Sequence, residues 1–236
     1  MYSFDSRVRY SEVDKKKQLD LVSIINYFQD CSTFHSEDAG VGIDYLDDKK
    51  RAWLLNSWQI VVDKYPVLGD YITTATWAYD FQSMYGYRNF VIKDSNGEIC
   101  ACANSIWVFM DMKQGKPIRI DPEDVAVYGE DPKLDMEYAP RKILLPKGFI
   151  TKEPFPVISS NIDTNNHVNN GQYIKMAEEY LPEDFTIKQM RAEYRISAVL
   201  GDIVYPKIYI DNNLYTIVLA NSEDKPYTIV EFIGTK

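Results

Sequence analysis

The run Asn161 to Asn170, NIDTNNHVNN, places one of the chain's two histidines beside a carboxylate and among five asparagines. An imidazole can carry protons near neutral pH, an amide can orient a water or a carbonyl, and a carboxylate can fix or polarise the ring. Asp163, Asn165 and His167 therefore form a candidate acid–base corner. Asparagine and aspartate are also favoured in turns and at helix N-caps, so each residue taken singly has a structural reading too.

The elements that must hold this corner emerge from an internal repeat. Ser11 to Asp30, SEVDKKKQLDLVSIINYFQD, aligns with Ser160 to Glu179, SNIDTNNHVNNGQYIKMAEE, at an offset of 149 (163 − 14). VLGDYI (Val67 to Ile72) aligns with VLGDIV (Val199 to Val204) at an offset of 132 (201 − 69). Two matches in the same order point to a duplication. The first half then carries 17 extra residues (149 − 132) between Asp30 and Val67, expected in DAGVGIDYLDDKKRAW.

The halves agree at apolar positions and differ at polar ones. Where the second has Asn165 and His167, the first has Lys16 and Gln18, while Asp163 meets Asp14. On the following strand, Glu193 meets Val61 (193 − 132 = 61). A carboxylate in a strand expected to pack on a helix needs partners, because an unpaired buried charge is costly. Asn165 and His167 are the expected partners, although Glu193 could instead form an ion pair with Arg191 or Arg195. Only the second corner is equipped for acid–base work.

Leu19, Val22, Ile25 and Phe28 follow helical spacing, as do Val168, Tyr173, Ile174, Ala177 and Leu181. Downstream, β-rich runs are separated by the hairpin signals DSNGE, DNN and NSEDK. Each half reads as a short strand, one long helix and about four antiparallel strands. Both elements bury their apolar faces if the sheet wraps the helix, so the predicted fold class is α+β, two tandem hotdog units. The expected domains are residues 1–112, a linker over 113–148 that is rich in proline and charge, and residues 149–236.

A chain of 236 residues, 45% hydrophobic and 26% charged, can bury a substantial core. Its net charge of −9 argues against nucleic acid. No membrane span or signal peptide is read, so the expected location is cytoplasmic. Cys31, Cys100 and Cys102 suggest neither a disulfide framework nor a metal site, and no cofactor is expected.

These residues resemble the acyl-acyl-carrier-protein thioesterases of bacteria and plant plastids. The similarity runs over most of the chain and includes YRNFVIKDSNGEICACANSIWVFMD, IDTNNHVNNGQYI and AEYRISAVLGD. It implies a double hotdog that hydrolyses fatty acyl thioesters of acyl carrier protein, with Asp163, Asn165, His167 and Glu193 on the catalytic positions. Many plant members carry a cysteine directly after the glutamate, where this chain has Tyr194. The resemblance therefore implies a route without a cysteine nucleophile. Glu193 would activate water or attack directly, His167 would assist the leaving thiolate, Asn165 would orient water or carbonyl, and Asp163 would fix the loop or polarise His167.

The backbone N–H groups of Val168 and Asn169 are candidate oxyanion donors. Ile24, Phe28 and Trp58 are candidates for the acyl pocket, beside a core reading for each. The expected partner is an acidic acyl carrier protein docking on a local cluster: Lys15-Lys16-Lys17, Lys49-Lys50-Arg51, Arg141-Lys142, or Arg191 with Arg195. Further pairing into a homodimer is left open. The competing functions are an acyl-CoA thioesterase, a noncatalytic acyl-thioester binding module and, more weakly, a hotdog dehydratase.

Overall fold

A computed structural model describes residues 1–129 and 131–235. The chain divides into two compact units, one of Met1–Asn56 and Ile60–Tyr138, the other of Ala139–Lys236 together with Ser57–Gln59.

In the first unit, β1 (Tyr2–Arg7) precedes the helices α1 (Leu21–Asp38) and α2 (Ile43–Lys49), then β2 (Arg51–Val62), β3 (Tyr71–Gln82), β4 (Tyr85–Asp94) and β5 (Ile99–Asp111). The strands lie in the order β1-β3-β4-β5-β2, with a short β6 (Lys116–Pro117) on the end of β5. Leu21, Ile24, Ile25, Phe28 and Cys31 recur at three- and four-residue intervals and form the buried face of α1. Phe28 packs on Phe90 of β4, their ring centroids 5.1 Å apart. The Asp20 side chain caps the helix by accepting from Ser23 N at 2.7 Å.

The second unit has the same plan in shorter elements. It contains β7 (Ile150–Thr151), β8 (Phe155–Pro156), β9 (Thr186–Tyr194), β10 (Ile203–Asp211), β11 (Leu214–Ala220) and β12 (Pro226–Thr235). A one-turn α3 (Pro122–Val125) belongs to the segment between the sheets, and α4 (Asn170–Glu178) is the second unit's helix. The order is β9-β12-β11-β10-β7, and β8 also pairs with β10. Each unit thus has the hotdog arrangement read from the sequence.

The duplication is visible bond by bond. Leu19 N donates to Pro66 O, and Val168 N to Ala198 O; Gly69 N donates to Val8 O, and Gly201 N to Val157 O. All four pairs obey the offsets of 149 and 132. Gly69 and Gly201 have φ of +91° and +87°, a region that glycine enters at little cost and other residues do not. The extra residues of the first half make its helix 18 residues long against 9, and add α2. Part of the insertion therefore lengthens α1 upstream of the expected segment, since a helix can grow by whole turns without disturbing the sheet below it.

The segment 113–148, expected as a linker, is anchored at separate points by a few side chains. Val125 and Tyr128 are buried in one cluster with Val41 and Ala78. Trp77 Nε1 donates to Pro132 O at 2.8 Å, and Asn89 Oδ1 accepts from Leu134 N and Tyr138 Oη. Beyond Tyr138 the chain joins the second unit, where Ile143 is buried with Tyr209, Val218 and Ile229. Single anchoring side chains on short turns and irregular backbone leave no period for sequence reading to detect.

Candidate active site

The corner before α4 is built by Asp163. Its Oδ1 accepts from Asn165 N at 2.8 Å and His167 N at 3.4 Å, while its own N–H donates to His167 O. Asn166 supplies the left-handed turn at φ +61°, a conformation asparagine tolerates better than most residues. The sister corner repeats this: Asp14 Oδ1 accepts from Lys16 N and Gln18 N at 2.8 and 2.9 Å, and Lys17 has φ +61°. The aspartate is thus required by the loop itself, as one of the two sequence readings held. The residues that differ, Asn165 and His167, are exposed.

The other asparagines divide by position. Asn161 Oδ1 accepts from Ile158 N, and Asn169 Oδ1 caps α4 by accepting from Gly171 N at 2.8 Å. Asn170 is the first residue of α4, and its carbonyl accepts from Tyr194 Oη at 3.1 Å.

Three sets of candidates are engaged in other contacts. The first is Glu193, whose carboxylate oxygens are taken up by Ile143 N and Arg195 Nε. Along β9 the side chains alternate between faces, and Tyr194 reaches α4 through Asn170 O and an aromatic contact with Tyr173. Glu193 therefore points from the opposite face. It is 6% exposed, with Oε2 accepting from Ile143 N at 3.0 Å and Oε1 from Arg195 Nε at 3.1 Å. Among the described residues no hydrogen bond joins it to Asp163, Asn165 or His167. The pair with Arg195 is the alternative that the sequence offered for Glu193.

The second set is the oxyanion donors. Val168 N is occupied by Ala198 O and Asn169 N by Asn161 O. Among the described residues, the N–H at the start of α4 without an acceptor is that of Asn170. The third concerns Ile24, Phe28 and Trp58, which are 0%, 0% and 2% exposed. They are packed core, as their alternative reading held. A surface cleft of the first unit lies elsewhere, lined by Val41, Tyr45, Trp53, Phe109 and Tyr128.

The rest of the titratable groups narrow the chemistry. His35, the other histidine, stacks on Tyr2 and takes a hydrogen bond on Nδ1 from Arg88. Burial and the Arg88 charge push it down to about 4, so this ring stays neutral at physiological pH. Burial pushes the Cys31 thiol up to about 12 and Cys102 up to about 11, and Cys100 is likewise raised by burial. A thiol is nucleophilic as thiolate, so none of the three is primed to attack. Alkylation of native protein with iodoacetamide at pH 7.5 is expected to leave turnover within two-fold, checked by mass spectrometry alongside the activity assay. Tyr194 is raised by burial and acts as a hydrogen-bond donor. Among the described residues there is no group of three or more His, Cys, Asp or Glu arranged to hold a metal, and no helix is long and apolar enough to cross a membrane.

Two tandem hotdog units make this a double hotdog protein, with Asn165 and His167 on only one of its two equivalent corners. The chain belongs to the acyl-ACP thioesterase family: the model of the family's N-terminal domain matches residues 1–128 and that of its C-terminal domain residues 147–218. It is 28% identical over 216 residues to a chloroplastic acyl-[acyl-carrier-protein] hydrolase of Cuphea viscosissima, covering 80% of this chain and 50% of the relative. It is 28% identical over 217 residues to the chloroplastic palmitoyl-acyl carrier protein thioesterase of Arabidopsis thaliana, again covering 80% of this chain and 50% of the relative. The chain spans about half the length of these curated relatives. Among solved structures, an acyl-ACP thioesterase from Bacteroides thetaiotaomicron superposes with a TM-score of 0.90 at 20% identity, over 99% of this chain and 97% of that one. The 12:0-ACP thioesterase of Umbellularia californica gives 0.86 at 17%, over the same shares. At those identities the two structures establish the shared fold.

Proposed function

We propose that this protein hydrolyses the thioester between a fatty acyl chain and the phosphopantetheine arm of acyl carrier protein, releasing free fatty acid for lipid metabolism. One observation carries the reading. The fold builds the same corner twice, and only the copy in the second unit bears the amide and imidazole of Asn165 and His167 on an exposed loop. Neither side chain is needed for the loop, so their presence is accounted for by chemistry.

In this reading a water oxygen attacks the thioester carbon, its proton passing to His167. The tetrahedral oxyanion meets the Asn170 N–H and the Asn165 amide. The C–S bond then breaks, and the proton held by His167 goes to the departing pantetheine sulfur. General acid–base assistance of this kind contributes about 10²–10⁴ in rate. Asp163 holds the loop with Oδ1, and its Oδ2, which has no hydrogen-bond partner among the described residues, is the carboxylate oxygen available to the imidazole. Glu193 is a positioning residue that ties β9 to Ile143 and Arg195.

The carrier-protein names of the relatives support acyl carrier protein over coenzyme A. Three thiols held without a disulfide suit the reducing environment of a cytoplasm. The test is free-thiol release from the same acyl group on acyl carrier protein and on coenzyme A. We expect kcat/KM at least ten-fold higher on the carrier protein; the reverse order makes this an acyl-CoA thioesterase, and release from neither removes hydrolysis.

A further inference from the structure

The second unit's helix is anchored by two tyrosines that the first unit lacks. Tyr173 of α4 and Tyr194 at the end of β9 have ring centroids 6.2 Å apart. The offsets of 149 and 132 put Ile24 and Val62, 0% and 1% exposed, at the equivalent positions. Apolar side chains therefore suffice to pack this helix on this strand, and the two hydroxyls are what the second unit has added.

Their bonds have different causes. Tyr173 Oη accepts from Ala198 N at 2.8 Å, where the first unit has Pro66, which carries no N–H. A buried amide needs an acceptor, so the fold itself accounts for the Tyr173 hydroxyl. Tyr194 Oη donates to Asn170 O at 3.1 Å. A carbonyl in the first turn of an α-helix already receives an N–H from four residues on, and the equivalent pair in the first unit, Leu21 and Val62, has no hydroxyl with which to make such a bond. The fold does not call for it.

What the bond holds is a peptide beside the reacting corner. The unit joining Asn170 to Gly171 is tied at both ends, its carbonyl to Tyr194 Oη and its N–H to Asn169 Oδ1 at 2.8 Å. On the other side, Asn169 N donates to Asn161 O. These bonds fix the path of the chain through Asn170, and with it the direction of the Asn170 N–H. A donor lowers the barrier only when it points to where negative charge develops. Burial holds the Tyr194 hydroxyl well above the usual tyrosine range, so it stays protonated and remains a donor. We infer that Tyr194 is a positioning residue for thioester hydrolysis, acting through Asn170 O to aim the Asn170 N–H at the oxyanion. This rests on the hydrolase reading above.

The test is a double-mutant cycle with fatty acyl carrier protein as substrate. Tyr194→Phe removes the hydroxyl and keeps the ring against Tyr173. The expected result is a fall in kcat of about ten-fold with KM within about two-fold, because the aimed donor acts in the transition state and not on bound substrate. The melting midpoint stays within about 3 °C, since Asn170 O keeps its place in the helix. Asn170→Pro deletes the N–H itself; proline is favoured at the first position of a helix, and Asn169, at φ −59° and ψ 141°, already has the extended backbone that precedes one. In that background Tyr194→Phe is expected to change kcat by less than about two-fold, as no donor is left to aim. Wild-type kcat in Tyr194→Phe overturns the inference, and so does an equal fall in both backgrounds, which would give the hydroxyl another route of action. Full activity in Asn170→Pro removes that N–H from the oxyanion, and the inference with it, while hydrolysis stands. Wild-type protein that releases no thiol overturns the hydrolase reading itself, before any variant is compared.

Discussion

Replacing His167 by glutamine is expected to lower kcat for thiol release from fatty acyl carrier protein by about 10²–10⁴, the usual worth of a positioned general acid–base, while leaving the unfolding midpoint unchanged. The substitution copies the sister corner, where Gln18 occupies the same place in a loop with the same hydrogen bonds. His167 is exposed, and it meets Asp163 Oδ1 through its backbone N–H, which any residue supplies. Loss of fold is therefore an unlooked-for outcome, and circular dichroism with a thermal melt checks it directly. Asn165→Lys, the other sister residue, should lose less, since it removes orientation and one oxyanion contact rather than the proton carrier. A His167→Gln protein with wild-type kcat would remove the imidazole from the mechanism.

Glu193→Ala is expected to act on stability instead. The change strips the acceptor from the buried Ile143 N–H and leaves Arg195 without its carboxylate. An unsatisfied buried donor costs about 1–3 kcal/mol, and the lost charge-assisted bond adds to it, so about 2–4 kcal/mol is expected. For a chain of this size that corresponds to a fall of roughly 5–12 °C in the midpoint. Below both midpoints, turnover should remain within about five-fold of wild type. Glu193→Gln keeps an acceptor for Ile143 N, and should recover most of the stability. The family resemblance, which places Glu193 among the catalytic positions, implies loss of hydrolysis instead. A Glu193→Gln protein that melts like wild type but fails to release thiol would reinstate the carboxylate as a base.

The two outcomes separate what was legible in the residues from what was not. The repeat was legible because backbone demands leave marks: a left-handed glycine in each VLGD turn, an aspartate accepting from two amides, and an apolar stripe at helical spacing. These constraints act within a few residues and survive duplication. Asn165 and His167 stood out because the sister loop lacked them. The facing of Glu193 depends on strand register and on Ile143, a residue 50 positions away, and neither is encoded in local pattern. The amides of Val168 and Asn169 pointed toward a plausible oxyanion site until their acceptors, Ala198 O and Asn161 O, came into view. The anchors of the segment 113–148 escaped for a related reason: Pro132, Leu134 and Tyr138 hold on through scattered contacts that form no period.

The most direct measurement of the central claim is the stoichiometry of products when purified protein meets a fatty acyl carrier protein as its sole substrate. Hydrolysis at the second corner predicts free carrier thiol and free fatty acid in equal amounts, over many turnovers, with release abolished to within background in an N165K/H167Q chain that folds like wild type. Retention of intact acyl carrier protein by the wild type, or equal product from the swapped corner, would contradict it.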